Sequence, residues 1–360
     1  MRCLVAAAVA LLMAAGCTAS PGTTSTGQGG SAHQGGGANG PGSGSSGAPR
    51  VTVRLGFVAN VTQSPAIVGI RERLFAANLG RAVALRPVAF ASDSAEAAAL
   101  SAGRLDVAYA SPDTILKVLS ARRASRIVVI SGASAAEPEL VVDHRLDAPS
   151  ELPGHTLAVP TTDGAQEIAL RGWLAIHHLS VGTSHGIAVT AISPGSALIA
   201  AFRSGKIAGA IELPPWDIEL ATAGGRVLAR GLDFPGSSDS ATANLVVTRK
   251  FLDSNSAAVY ALLKGQVQAN DFLHRFPLQS SQAIAAALAA AGHPISSSLL
   301  ALSMAQVSFT DDPLARSLAA QAREATADGF AAPAAVPPGL YDFAPLDLVL
   351  RADGEPPVTS

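Results

Sequence analysis

The sequence predicts an α/β protein built as two similar lobes, and three observations carry that expectation. From residue 51 onward, stretches with the two-residue alternation of strands take turns with stretches of helical apolar spacing. A β-α-β-α-β order at 51–112 returns at 155–214. The length of 360 residues also exceeds the roughly 250–300 at which a single core stops growing.

The chain begins with a leader. Met1-Arg2 supplies a positive start, and Leu4 to Ala15 is an unbroken apolar run, too short to span a bilayer comfortably and ending in small residues. This reads as a secretory signal over 1–16. Met13-Ala-Ala-Gly-Cys17 resembles the bacterial lipobox, with Ala14 where Leu is usual, which implies cleavage before Cys17 and lipidation, palmitate included, of that residue. The 33 residues from Thr18 to Arg50 include eleven Gly and almost no apolar side chains, so 17–50 is expected to be a lipidated Cys and a flexible tether.

The elements follow in order. Val51 to Phe57 alternates as a strand, Pro65 to Leu79 has helical spacing up to Gly80, and Val83 to Phe90 is a strand. Ala95 to Ala102 is a short helix stopped by Gly103, and Leu105 to Ala110 a strand before Ser111-Pro112. In the second unit, strands at 155–160, 187–192 and 207–212 enclose helices at 165–179 and 196–204, the latter stopped by Gly205. Laying Gly103 on Gly205 gives an offset of 205 − 103 = 102, which places Asn60 on Thr162 and Pro112 on Pro214. Strands are expected at 126–132 and 139–143, the second crossing into lobe two, and at 243–248, returning the chain. Helices are expected at 257–274, 279–291, 296–305 and 313–330. The expected limits are 51–140 plus 249–360 for lobe one and 141–248 for lobe two, with two crossovers forming a hinge.

Composition removes several function classes. A net charge of −2 and 14% charged residues provide no basic field for nucleic acid, and 48% hydrophobic content excludes disorder for most of the chain. The two cysteines, Cys3 and Cys17, both lie in the first twenty residues, so the body of the protein has no disulfide, thiolate metal site or cysteine nucleophile. No Gly-x-Ser-x-Gly elbow or Ser/His/Asp set stands out, and no catalytic residue or cofactor is expected. His177 and His178 are adjacent and point apart on a helix, and with His185 they lack a third ligand at zinc spacing, so no metal is expected.

In open parallel α/β sheets, ligands bind beyond the carboxyl ends of the strands. That rule selects the loops at 59–64, 111–113, 132–134, 161–166, 193–196 and 212–216, which carry hydroxyls, amides and Gly and no Lys or Arg.

Val53-Arg-Leu-Gly-Phe-Val-Ala-Asn-Val-Thr-Gln-Ser-Pro-Ala66, Leu100-Ser-Ala-Gly-Arg-Leu-Asp-Val-Ala-Tyr109, Leu152-Pro-Gly-His-Thr-Leu-Ala-Val-Pro160 and Pro214-Pro-Trp216 resemble the solute-binding lipoproteins of ABC importers. The similar subgroup handles aliphatic sulfonates, nitrate and thiamine-pyrimidine precursors, and the resemblance covers about residues 51–275. It implies a two-lobed periplasmic-binding type II fold, a monomer anchored on the extracytoplasmic face of the cell membrane, and delivery of a small polar solute to a permease and its ATPase. Carried over, the cleft residues are Asn60, Thr62, Gln63, Ser111, Thr161, Thr162, Gln166, Glu212 and Trp216. The family's Pro-Glu-Pro-Trp run is here Glu212-Leu-Pro-Pro-Trp216, which displaces the acid.

Local readings compete with these roles. Thr161 and Thr162 are also placed to cap the helix from Ala165, and Asn60 and Ser64 have the same ambiguity. Trp216 suits a stacking wall or core packing, and Trp173, mid-helix on an apolar face, suits the core. Asp163 and Glu212, if they face the cleft, would repel a pure anion and suit a zwitterion or an aminated heterocycle. Two other readings stay open: an extracellular ligand sensor, and an enzyme related to thiamine-pyrimidine synthesis, against which the missing cysteines speak.

Overall fold

A computed structural model of the chain describes residues 51–121, 126–182, 186–193, 195–235, 240–327 and 336–358. The readings of the leader, Cys17, the tether and His185 lie outside these residues.

The first lobe opens with β1 (Val51–Val58), α1 (Ser64–Arg71), α2 (Leu74–Leu79), β2 (Val83–Phe90), α3 (Asp93–Ser101), β3 (Val107–Ala110), α4 (Pro112–Ser120) and β4 (Ile127–Ala135). The second contains β5 (Glu139–Asp143), β6 (Thr156–Val159), α5 (Ala165–Ile176), β7 (Ala188–Ala191), α6 (Gly195–Arg203), β8 (Gly209–Glu212), α7 (Trp216–Thr222) and β9 (Gly225–Arg230). The chain then returns through β10 (Ala241–Thr248), α8 (Arg249–Ser254), α9 (Ser256–Arg275), α10 (Pro277–Ala290), α11 (Ser297–Ala305), β11 (Ser308–Phe309), α12 (Ala315–Ala327) and α13 (Ala344–Ala352).

Two mixed sheets result, ordered β11-β4-β10-β3-β1-β2 and β7-β6-β8-β5-β9. The repeat seen in the sequence is present in the pairing itself. Arg54 faces Arg86 and Gly56 faces Ala108 in the first sheet; Thr156 faces Ala188 and Ala158 faces Ala210 in the second, every position displaced by 156 − 54 = 102. Gly103 and Gly205 close the helices α3 and α6 at φ of 67° and 71°, the left-handed region where glycine carries no side-chain penalty.

The lobe limits differ from expectation at one strand. β10, expected at the end of lobe two, pairs antiparallel with both β3 and β4 in the first sheet and is buried along its whole length. β3 and β4 are not neighbours, so the gap between them has to be filled by a strand that returns. The crossovers therefore run from β4 to β5 and from β9 to β10, and they touch: the Gly231 N–H donates to the Pro138 carbonyl at 3.1 Å.

The expected helix over 65–79 divides into α1 and α2 because Arg73 takes φ of 59°. The break seats Phe75, fully buried, between α1 and α9, where a Cβ on Gly69 would strike its ring and one on Gly265 would lie 2.6 Å from it. α4, α7, β9, α8, β11 and α13 were not foreseen. One face of the first sheet packs with α2, α9 and α13 around Phe75, Tyr109 and Leu262; the other packs with α3, α4 and α12 around Leu100, Ile115 and Leu318. Trp173 belongs to the second lobe's core with Leu157 and Leu170, its ring 4.4 Å from that of His177. Among the described residues no helix is long and apolar enough to cross a membrane.

Candidate functional site

A cavity of about 840 Å³ lies between the lobes, bounded by the loops after β1 and β3 on one side and those after β6 and β8 on the other. Of the nine expected site residues, Asn60, Thr62, Gln63, Ser111, Thr161, Gln166, Glu212 and Trp216 line it. Thr162 does not: it is exposed, and its neighbour Asp163, also exposed, turns the loop at φ of 59°.

The loop after β1 is held by its own side chains. Asn60 Oδ1 accepts from the Gln63 N–H at 2.8 Å and from the Thr62 hydroxyl at 3.0 Å, and Gln63 Oε1 accepts from the Val58 N–H at 2.7 Å. Gln63 is only 1% exposed, so its amide shapes the wall rather than projecting from it. On the next loop Ser111 Oγ accepts from the Thr114 N–H at 3.2 Å and caps α4, whose first residue is the helix-starting Pro112.

The cap of α5 comes from an unexpected place. Its N-cap residue is Gly164, without a side chain, and neither Thr161 nor Thr162 serves. Instead Asp113 of the first lobe reaches across, and its Oδ1 accepts from the Ala165 N–H at 2.8 Å. A Cβ on Gly164 would lie 2.5 Å from Asp113 Oδ2, so glycine at the cap is what admits the carboxylate. Burial pushes the Asp113 carboxyl up to about 6; the Ala165 N–H opposes that, Asp93 adds to it and Lys117 offsets it.

At the end of β8, Glu212 is 4% exposed and its pKa is raised well above the usual carboxylate range, first by burial and then by Asp217. Asp217 is itself pushed up to about 7, mainly by burial, and its Oδ1 accepts from the Ile218 N–H at 2.7 Å. Trp216 covers Gly195 at the start of α6 with its ring and packs against the Leu198 cluster, and it also lines the cavity.

Reading strand-end loops missed several polar wall residues, among them Asp93, Lys117, Glu219, His293 and Gln321. Lys117 corrects the expectation of a wall without basic side chains, since it sits one turn inside α4, past the loop, with Nζ 3.2 Å from Ser94 Oγ. The start of α3 at Asp93 was legible as a cap signal; Gln321 on α12, over 200 residues from the first cleft loop, had no local signal.

The model of the NMT1-like family matches residues 46–290. No curated protein matches the chain. Among solved structures, the alkanesulfonate-binding protein SsuA from Xanthomonas axonopodis pv. citri, bound to MOPS, is similar at 20% identity and a TM-score of 0.66, over 83% of this chain and 100% of that one. The periplasmic aliphatic sulphonate binding protein SsuA from Escherichia coli is similar at 19% identity and a TM-score of 0.64, over 77% and 86%. A Candida albicans protein with the generic periplasmic binding protein fold is similar at 9% identity and a TM-score of 0.57, over 77% and 90%. Identities this low speak to architecture, and the architecture is that of the periplasmic binding proteins.

Proposed function

The chain belongs to the NMT1-like family, and from that premise we propose that it is an extracytoplasmic solute-binding lipoprotein of an ABC importer. It captures a small polar solute, sulfonate- or pyrimidine-like, between its lobes and delivers it to a membrane permease and the ATPase behind it. Lipid on Cys17 holds it to the membrane, and the Gly-rich tether, with a root-mean-square reach on the order of 30 Å, lets it dock on the permease as a monomer. It acts as a binder rather than a catalyst. The lobes extend over 51–138 with 241–358 and over 139–230.

The observation that carries this reading is the cleft: about 840 Å³, suited to a small molecule, with both lobes contributing polar side chains from strand ends. Ligand contact is assigned to Asn60, Ser111, Thr161, Gln166, Glu212 and Trp216, with Thr62 and Gln63 shaping the wall. Thermal-shift screening of the purified protein against sulfonates, pyrimidines and small amines tests it. A concentration-dependent rise in Tm with members of one class, lost in Trp216→Ala, is expected. No shift from any class, or turnover of a bound compound, would overturn it.

A further inference from the structure

In a cleft that binds anions, the free N–H groups at a helix N-terminus are the usual receptor. Here that position on the second lobe is already occupied by the protein's own Asp113, whose Oδ1 takes the Ala165 N–H at 2.8 Å. The carboxylate is buried at 9% exposure, and the missing Cβ of Gly164 lets it seat. The wall's one Lys or Arg among the described residues, Lys117, is turned to Ser94 and lies within electrostatic reach of Asp93 and Asp113. It neutralises acids already present rather than waiting for an external charge.

Among the described residues, the buried side-chain atoms of this wall that lack a hydrogen-bond partner are acceptors. Gln321 is 8% exposed, faces the cavity, and has an Oε1 with no hydrogen-bond partner; Asp93 Oδ1, also on the wall, is buried and unpartnered as well. A buried acceptor without a donor is satisfied by a ligand that brings one. Glu212 and Glu219 add two further carboxyls to the same wall. An oxyanion brings only acceptors, and offers Asp93 Oδ1 and Gln321 Oε1 no hydrogen bond.

We propose that the cleft selects solutes presenting N–H donors, such as amidines or protonated amines, and excludes oxyanions, with Asp113 enforcing the exclusion and Asp93 and Gln321 reading the donors. This rests on the solute-binding reading and narrows its ligand to one class.

Two probes with the same ring and opposite head groups test it, benzamidinium and benzenesulfonate, titrated calorimetrically into the purified protein. Benzamidinium is expected to bind at least tenfold more tightly. Gln321→Ala should weaken benzamidinium about tenfold and leave benzenesulfonate unchanged. Asp113→Ala should narrow the ratio at least tenfold by admitting benzenesulfonate, and Asp113→Asn, which keeps size and one acceptor, provides the same test if the alanine variant does not fold. Tighter benzenesulfonate binding to the unaltered protein would overturn the proposal while leaving the solute-binding reading intact. A ratio unchanged in both Asp113 variants would overturn it too. Failure of both probes would do the same, and the compound screen above then shows whether the broader reading falls with it.

Discussion

Gly164 and Asp113 make a residue-scale pair that depends on both members. Gly164 has φ of −98°, ordinary for any amino acid, so alanine there meets no backbone strain. Its Cβ would instead meet Asp113 Oδ2 at 2.5 Å and Thr161 Cγ2 at 2.6 Å. Gly164→Ala is therefore expected to displace the carboxylate and cost about 0.5–2 kcal/mol, the usual worth of a lost helix cap. Asp113→Ala should cost a similar amount and the double variant little more than either alone, since both remove one interaction. Urea unfolding of the two single variants and the double checks this; strictly additive losses would show that the contact is not shared. The same pair marks a limit of sequence reading. Caps are sought three residues away, which is why Thr161 and Thr162 stood out, whereas Asp113 lies 52 residues upstream and reaches α5 only once the lobes meet.

At the scale of elements, the strands were the most legible part. β2 spans 83–90 and β5 spans 139–143, the limits their alternation gives. Helices inside the repeat were legible wherever a glycine stopped them. α4 was not, because Ser111-Pro112 looks like a turn ending a strand, although the same two residues are a serine N-cap followed by a proline at the first helical position. Ser111 therefore has a structural duty separable from any contact with solute. Ser111→Ala should lower stability by about 1 kcal/mol through the lost cap on the Thr114 N–H, whether or not a solute is present, whereas Ser111→Thr, which keeps the hydroxyl, should retain most of it. Thermal unfolding of both variants checks the prediction, and equal losses in the two would contradict a capping role. β9 escaped notice because Gly225-Arg-Val-Leu-Ala-Arg230 is an edge strand with little alternation, recruited by pairing with β5.

For the whole molecule, buried carboxyls set the response to pH. Burial raises Asp113 from 3.8 to about 6 and Asp217 from 3.8 to about 7. A carboxyl whose folded pKa lies above its unfolded value destabilises the fold when ionised. The penalty is complete above the folded pKa and is removed as pH falls toward 3.8. Stability is thus expected to rise on acidification from pH 8 to pH 5, by on the order of 4 kcal/mol for these two groups. Asp143, whose pKa is held down by Arg145, opposes this only as pH falls below the ordinary carboxylate range. Urea midpoints across that range measure it, and a maximum at pH 7 or above would contradict it. At this scale the two-lobed plan was legible from the 102-residue echo, and eight of nine candidate residues do line one cavity. Illegible was the contribution of α12, whose Gln321 enters the wall through packing of Leu318 and Ala322 on the far side of the first sheet.

The contact between the crossovers limits how this molecule can move. The connection from β4 to β5 and the start of the connection from β9 to β10 are joined by the hydrogen bond from Gly231 to Pro138, so they cannot slide past each other at that point without breaking it. Relative movement of the lobes is then expected to pivot about this contact, and a spin-label pair placed across the mouth of the cleft, compared with and without solute, measures it.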